Sequence, residues 1–404
     1  MTRMALEKPP YTREQKIAAL ADQCVQCGLC LPTCPTYGLD GNEAESPRGR
    51  IAISAALARG DAKPTESLRL HLDHCVGCLN CERVCPANVK YGELLVETRA
   101  MIGPTPQRPR ALLAVLKQPT LLRLAARLGG AKGLDRWRRQ LARRLPAESA
   151  WRVALEALPE SRDIPRPLPS EGHDERPAVA LFPGCVASVE DAAAEEATLA
   201  LLHAAGYRAV RLPAFCCGAI DLHGGEMKAA DALADRVRET WRAAGAEHLV
   251  TVTPGCLGTL RRALPGVDVA DPINLLLARA DRLRFRPLAR RVALHLPCTQ
   301  VNVARSDAAL ATLLRRVPEL DVQVVPRAPY CCGAAGTHML EFPERAARLR
   351  EATLEQIATV APQQLLSSNI GCRLHLAAGM DGEGRHWPHM HPLTLLAQQL
   401  EVSP

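Results

Sequence analysis

Cys24-Val-Gln-Cys-Gly-Leu-Cys-Leu-Pro-Thr-Cys-Pro35 decides the reading of the first quarter of the chain, and Cys75-Val-Gly-Cys-Leu-Asn-Cys-Glu-Arg-Val-Cys-Pro86 repeats it. Three cysteines spaced by two residues wrap a short loop round one cubane, so their sulfurs reach three irons. The fourth, carried away by the proline after it, reaches the neighbouring [4Fe–4S] cluster. The spacing therefore predicts one cluster on Cys24, Cys27, Cys30 and Cys85, and a second on Cys75, Cys78, Cys81 and Cys34. Zinc also binds paired C-x2-C motifs. A third cysteine at the same spacing and a Cys-Pro ending, both present twice, argue for clusters instead.

Roughly 40 residues separate the two runs, too many for a small β-rich carrier. Ser46-Pro47 reads as an N-cap followed by proline at the first helical position, with Gly60 as the stop. A second helix is predicted from Thr65 to Asp73, with Leu68, Leu70 and Leu72 turned partly inward. Residues 1–103 thus read as an all-helical ferredoxin domain. Arg48 and Arg50 could offset the negative charge of a thiolate-bound cluster, or simply open a solvated helix.

The other eight of the sixteen cysteines form two further groups: Cys185, Cys216, Cys217 and Cys256, then Cys298, Cys331, Cys332 and Cys372. They recur with a period of about 115 residues, and the segments between them recur too. Ala178-Val-Ala-Leu and Arg291-Val-Ala-Leu-His are short apolar strands leading to a cysteine. Each is followed by a helical stretch, a strand (Arg208–Leu212, Val322–Val325), Cys-Cys-Gly, a longer helix, and a third strand before the last cysteine. Strands alternating with helices predict a parallel α/β layer in each repeat. The fold class is therefore α+β overall: the helical domain, a basic helical linker over 104–176, and two parallel α/β cysteine-rich domains over 177–288 and 289–404. Each group of four lies just past strand ends, where open α/β sheets gather their sites. A further [4Fe–4S] cluster in at least one repeat, the second before the first, is the favoured reading, with structural zinc, plain buried thiols or an empty scaffold that holds partner subunits as alternatives.

Composition sets the outer limits. The chain has 404 residues, 47% hydrophobic and 23% charged, and no apolar run of the length a bilayer requires. Its first residues carry no apolar segment of the kind that directs export, so a cytoplasmic location is expected and the cysteines read as metal or redox groups rather than disulfides. Between Pro104 and Arg144, eleven Lys and Arg face the single acid Asp135. Leu112, Leu113, Leu116, Leu121, Leu122 and Leu124 recur in helical phase there, so the segment suits either peripheral contact with an anionic membrane on its inner face or packing against partner subunits. Aromatics are only 3% and no nucleic-acid motif is present, so nucleic acid is not an expected partner. His386, His389 and His391 lie between prolines and suit a surface or interface role better than a metal site. His338 and Tyr330 flank the second Cys-Cys-Gly and read as packing groups.

Two ferredoxin motifs followed by two Cys-Cys-Gly domains resemble the iron–sulfur subunits of glycolate oxidase (glycolate dehydrogenase). The phrases that carry the likeness are Cys331-Cys-Gly-Ala-Ala-Gly-Thr-His, Asn369-Ile-Gly-Cys-Arg-Leu-His-Leu and Arg385-His-Trp. Related subunits serve anaerobic glycerol-3-phosphate dehydrogenase, lactate utilisation and heterodisulfide reductase. The resemblance implies an electron-transfer subunit of a flavin-dependent 2-hydroxy acid dehydrogenase, with FAD on partner subunits and electrons leaving to a quinone or another acceptor. No glycine-rich dinucleotide fingerprint, Walker motif or nucleophile elbow occurs in the chain, which agrees with substrate oxidation on another polypeptide. One departure matters. Heterodisulfide reductase-like domains end in C-x-x-C, whereas Thr259 and His375 stand three beyond Cys256 and Cys372, which speaks against a disulfide-cleaving role. His375 reads as a helix-surface residue.

Overall fold

The computed structural model describes residues 11–129, 134–146, 148–157, 176–327, 329–380 and 385–401. Much of the linker's second half, over 158–175, lies outside the described residues. The chain divides into two compact units. One comprises residues up to Pro106 together with Asp221–Met227, and the other comprises Gln107–Ile220 and Lys228–Pro404.

The first unit is helical, and its helices begin where the capping chemistry dictates. Thr12 and Gln15 form a reciprocal capping box ahead of helix Arg13–Ala21. Ser46 accepts the Gly49 N–H at 2.9 Å to open helix Pro47–Arg59, which ends on a left-handed Gly60. Thr65 caps helix Glu66–Asp73, and helix Tyr91–Ile102 completes the bundle. Ile51, Leu57, Leu72, Leu94 and Leu95 meet in a shared core. Leu72 is fully buried while Leu68 and Leu70 are only half-buried, as the sequence implied. The cysteine runs occupy the two connections that this bundle leaves open.

The second unit contains two four-stranded sheets of the same topology. β1 (Ala178–Leu181), β2 (Arg208–Arg211), β3 (His248–Val250) and β4 (Asp268–Ala270) pair in the order β2-β1-β3-β4. β5 (Arg290–His295), β6 (Leu320–Val324), β7 (Gln364–Ser367) and β8 (His389–Met390) pair as β6-β5-β7-β8. Every pairing is parallel, with Ala180 opposite Val210 and Leu249 in the first sheet, and Leu294 opposite Val324 and Leu366 in the second. The buried stretches of the first and fifth strands, Ala178–Leu181 and residues 292–294, are apolar, as strand segments covered on both faces must be. One hydrophobic core runs through both repeats, joining Val179, Leu201 and Leu202 to Leu294, Leu310 and Leu396.

Two edge strands, β4 and β8, were not expected from the sequence pattern, being three and two residues long. β8 also alters the histidine expectation. His391 is buried, caps helix Pro392–Gln399 by accepting the Leu393 N–H at 3.1 Å, and sets Nε2 3.1 Å from the Val252 carbonyl. It is an internal cap, not a surface group.

The linker is partly folded onto the second repeat. Leu112 and Leu113 of helix Arg110–Leu116 are buried with Leu340, and Val153 and Ala154 of helix Ala150–Ala157 pack beside them. Arg108 pairs with Glu341 at 3.1 Å in the same unit. Leu122 is buried, but Leu121, Leu124, Trp137 and Trp151 remain exposed. Among the described residues no helix is long and apolar enough to cross a membrane.

Candidate metal centres

Both cysteine runs of the first unit turn in the same way. Gln26 and Gly28 have φ of 57° and 82°, and their counterparts Gly77 and Leu79 have 59° and 61°. The residues two and four beyond each first cysteine are thus left-handed, which curls the loop round a central space. A non-glycine residue held left-handed is strained, and here one such residue sits in each cysteine loop.

Cys24, Cys27 and Cys30 line one pocket, and Cys81 and Cys85 from the other run line it with them. Enclosure pushes the Cys30 thiol above its ordinary range, and Cys24 and Cys27 add to the rise. Cys34 does not line this pocket. It is buried, with Sγ 3.3 Å from Thr36 Oγ1, and it stands with Cys78, Cys75 and Cys30 among the thiols that drive Cys81 well upward, after burial. Buried thiols that crowd one another hold their protons more tightly, and they become ligands once iron displaces those protons. The donor set fits a thiolate-bound cluster in each place.

Cys75 shows what the surroundings contribute. Burial alone would raise it, yet the Arg50 and Arg99 guanidinium groups and the Tyr91 hydroxyl, 3.3 Å from its Sγ, bring it below the usual thiol range. Arg99 also donates to the carbonyls of Leu72, Cys75 and His223. Sequence reasoning singled out Arg50 but missed Arg99, Tyr91 and Glu45. Nothing in their spacing marks them, because the helices bring them in from outside the cysteine runs.

In the second unit each group of four thiols converges at the carboxyl ends of β1–β3 or β5–β7. Cys216 lies within hydrogen-bonding reach of Cys185 and Cys217, and these donors bring it down to about 3 while the two of them move up. Cys217 in turn bonds Cys256. In the second repeat Cys332 donates to Cys372 at 2.8 Å, and enclosure with Cys331 nearby pushes Cys298 up to about 12. Cys256 and Cys372 each occupy the first turn of a helix.

Both Cys-Cys-Gly turns are built alike. Gly218 and Gly333 have φ of +89° and +81° and donate their N–H to Cys216 and Cys331 at 3.5 and 3.4 Å. Asn369 ties the second site together, donating to Thr299 Oγ1 at 3.2 Å and accepting the Gly371 N–H at 3.0 Å. His375 is not the helix-surface residue expected. It is buried, its Nε2 lies 3.2 Å from the Ala346 carbonyl, and burial lowers its pKa to about 4. It faces the neighbouring helix and adds no fifth donor. His338 packs as expected, its ring tilted on Phe342.

Comparison with known proteins agrees with this division. Residues 20–89 match the 4Fe-4S dicluster domain, and residues 179–261 and 292–377 each match the cysteine-rich domain. The glycolate oxidase iron-sulfur subunit of Escherichia coli is 28% identical, over 96% of this chain and 97% of the relative. A Bacillus subtilis protein described as a "probable glycolate oxidase iron-sulfur subunit" is 30% identical over 89% of each chain. The chain belongs to the glycolate oxidase iron–sulfur subunit family. Its cofactors are [4Fe–4S] clusters, and it is an iron–sulfur electron-transfer protein. One subunit of the Methanosarcina barkeri dihydromethanophenazine:CoB–CoM heterodisulfide reductase is similar at 21% identity over 89% of each chain.

Proposed function

We propose that the chain is the electron-transfer subunit of a flavin-dependent glycolate (2-hydroxy acid) dehydrogenase. The observation that carries this reading is the end-to-end likeness to glycolate oxidase iron–sulfur subunits, in a chain whose sixteen thiols fall into four convergent sets. Oxidising a 2-hydroxy acid to the 2-oxo acid removes two electrons and two protons, chemistry that suits a flavin on a partner subunit. When bound, the clusters relay those electrons one at a time toward a quinone or another acceptor.

The ligand sets belong to the same proposal. Cys24, Cys27, Cys30 and Cys85 hold one cluster and Cys75, Cys78, Cys81 and Cys34 the second. Cys298, Cys331, Cys332 and Cys372 hold a third, and Cys185, Cys216, Cys217 and Cys256 are placed to hold a fourth. The division into 1–103, 104–176, 177–288 and 289–404 follows these sets. Exposed Leu121, Leu124, Trp137 and Trp151 in an arginine-rich segment suit peripheral contact with an anionic membrane. Flotation with anionic but not neutral vesicles tests that contact.

Anaerobically isolated chain should reduce no artificial dye with glycolate, and activity should emerge on adding the flavin subunits. Turnover by the flavin-free chain would sink the proposal. A second reading, disulfide reduction at a Cys-Cys-Gly centre, is favoured only by the likeness to the heterodisulfide reductase chain. Four-cysteine sets with Thr259 and the inward His375 in the fifth place count against it.

A further inference from the structure

The two centres of the first unit differ in the charges that surround them. The set containing Cys24, Cys27 and Cys30 borders solvent: Cys27 is exposed, and Arg48, a cation that acts on Cys30 and Cys24, has a third of its side chain in water and is paired with Glu43 at 2.8 Å. Salt and water screen such a charge. The other set is flanked by Arg50, which is fully buried at 0% exposure. Its Nη1 donates to Thr36 Oγ1 at 2.9 Å, and that oxygen lies 3.3 Å from Cys34 Sγ. Its Nε donates to the His71 carbonyl at 2.6 Å, and its Nη2 pairs with Glu45 at 2.6 Å.

We infer that Arg50 is a positioning residue for charge, which makes the centre on Cys34, Cys75, Cys78 and Cys81 the stronger electron acceptor of the pair. The inference rests on the ligand sets proposed above. A cluster held by four thiolates is anionic, and reduction adds one more negative charge to it. A fixed cation in a low-dielectric surrounding therefore stabilises the reduced form more than the oxidised form. Arg99 acts in the same direction from the carbonyl side of Cys75, and the Tyr91 hydroxyl can donate to that sulfur once it is a thiolate. Hydrogen bonds to cluster sulfurs also raise a potential.

Glu45 makes the idea separable from a merely structural one. Its carboxylate shares Arg50 with the sulfurs and accepts from His71 and His74 at 2.7 and 2.8 Å. If Arg50 serves only to tie the turn at Glu45 to helix Glu66–Asp73, losing either partner destabilises the unit and moves no potential in a defined sense. If its charge acts on the centre, the two losses have opposite signs.

The test is a potentiometric titration followed by EPR on the anaerobically prepared full chain, comparing wild type with Arg50→Gln, Arg50→Lys and Glu45→Gln. Cys34→Ser identifies which signal belongs to the second set. That signal should have the higher midpoint. Arg50→Gln should lower it by at least tenfold in the reduction equilibrium, about 59 mV for one electron. Arg50→Lys should leave it near wild type, Glu45→Gln should raise it, and the other signal should stay in place throughout. The inference is overturned if Arg50→Gln retains both clusters and the midpoint does not fall, or if the Cys34-dependent signal is the lower one. Should Arg50→Gln lose the cluster, the other two variants decide: a midpoint that Glu45→Gln fails to raise also overturns it. A wild-type chain that holds no clusters in the first unit would instead refute the underlying ligand assignment.

Discussion

Gly333→Ala and Gly218→Ala change equivalent positions of the two repeats, and the structure assigns them different costs. Both glycines are left-handed, at φ +81° and +89°, so an alanine pays about 1–2 kcal/mol for its backbone at either place. The surroundings then separate them. A Cβ on Gly333 would stand 2.3 Å from the Ala346 carbonyl oxygen, in a helix backbone that cannot swing aside. A Cβ on Gly218 would meet Ala230 and Leu233 at 3.3 Å, which a shift of a few tenths of an ångström relieves. Overpacking of the first kind adds about 1–3 kcal/mol. Gly333→Ala should therefore melt lower than Gly218→Ala by roughly 2–4 °C for each of those kcal/mol. Thermal melts followed by circular dichroism on the anaerobically prepared chain measure the difference. The same displacement moves Cys331 and Cys332, so iron content should fall with Gly333→Ala. Equal melting shifts, or a larger one for Gly218→Ala, would refute the reasoning.

Cys34→Ser should perturb the cluster on Cys75, Cys78 and Cys81 and spare the one on Cys24, Cys27 and Cys30; loss of the latter's EPR signal would show that the ligands are not crossed. Iron analysis should give about twelve or more irons per chain, with about four lost in Cys332→Ala, whereas about eight irons unchanged by that substitution would mean empty repeats. His295, His375 and His391 are buried with pKa values lowered to about 4 from 6.5. A lowered folded pKa means that the unfolded chain binds more protons, so each contribution, on the order of 3 kcal/mol, is present above pH 6.5 and fades as pH falls toward 4. Melting temperature should drop across that window, and His391→Gln should flatten the fall; an unchanged profile in that variant would exclude His391 as a contributor.

What the sequence shows of this molecule depends on how local the responsible physics is. Helix Pro47–Arg59 was legible because Ser46, Pro47 and Gly60 are local signals, and its ends fall where they demand. The duplicated α/β architecture was legible because the repeat doubles every weak strand signal. β4 and β8 were not, since two or three residues at a sheet edge gain their pairing from β3 and β7 rather than from their own pattern. His391 misled for a related reason: flanking prolines suggest surface, and only the packing of the second sheet against Val252 places the ring inside. At the metal centres, the cysteines declare themselves by spacing and Arg50 by its place at a helix start between the two runs, but Arg99 and Tyr91 belong to a later helix and are brought to Cys75 by tertiary structure alone.

The same distinction explains what the two repeats share. Sheet order, strand-end loops and the Cys-Cys-Gly turn are common to both, because backbone geometry is what the duplication copies. The thiol chemistry follows that backbone. The first cysteine of each set, Cys185 and Cys298, is pushed up, and so is the second of each adjacent pair, Cys217 and Cys332, through burial and the neighbouring thiols. Metal must displace the protons of all four cysteines in either set, so the affinity of both sites falls as pH falls. A scaffold copied in its backbone thus carries its ligand chemistry with it.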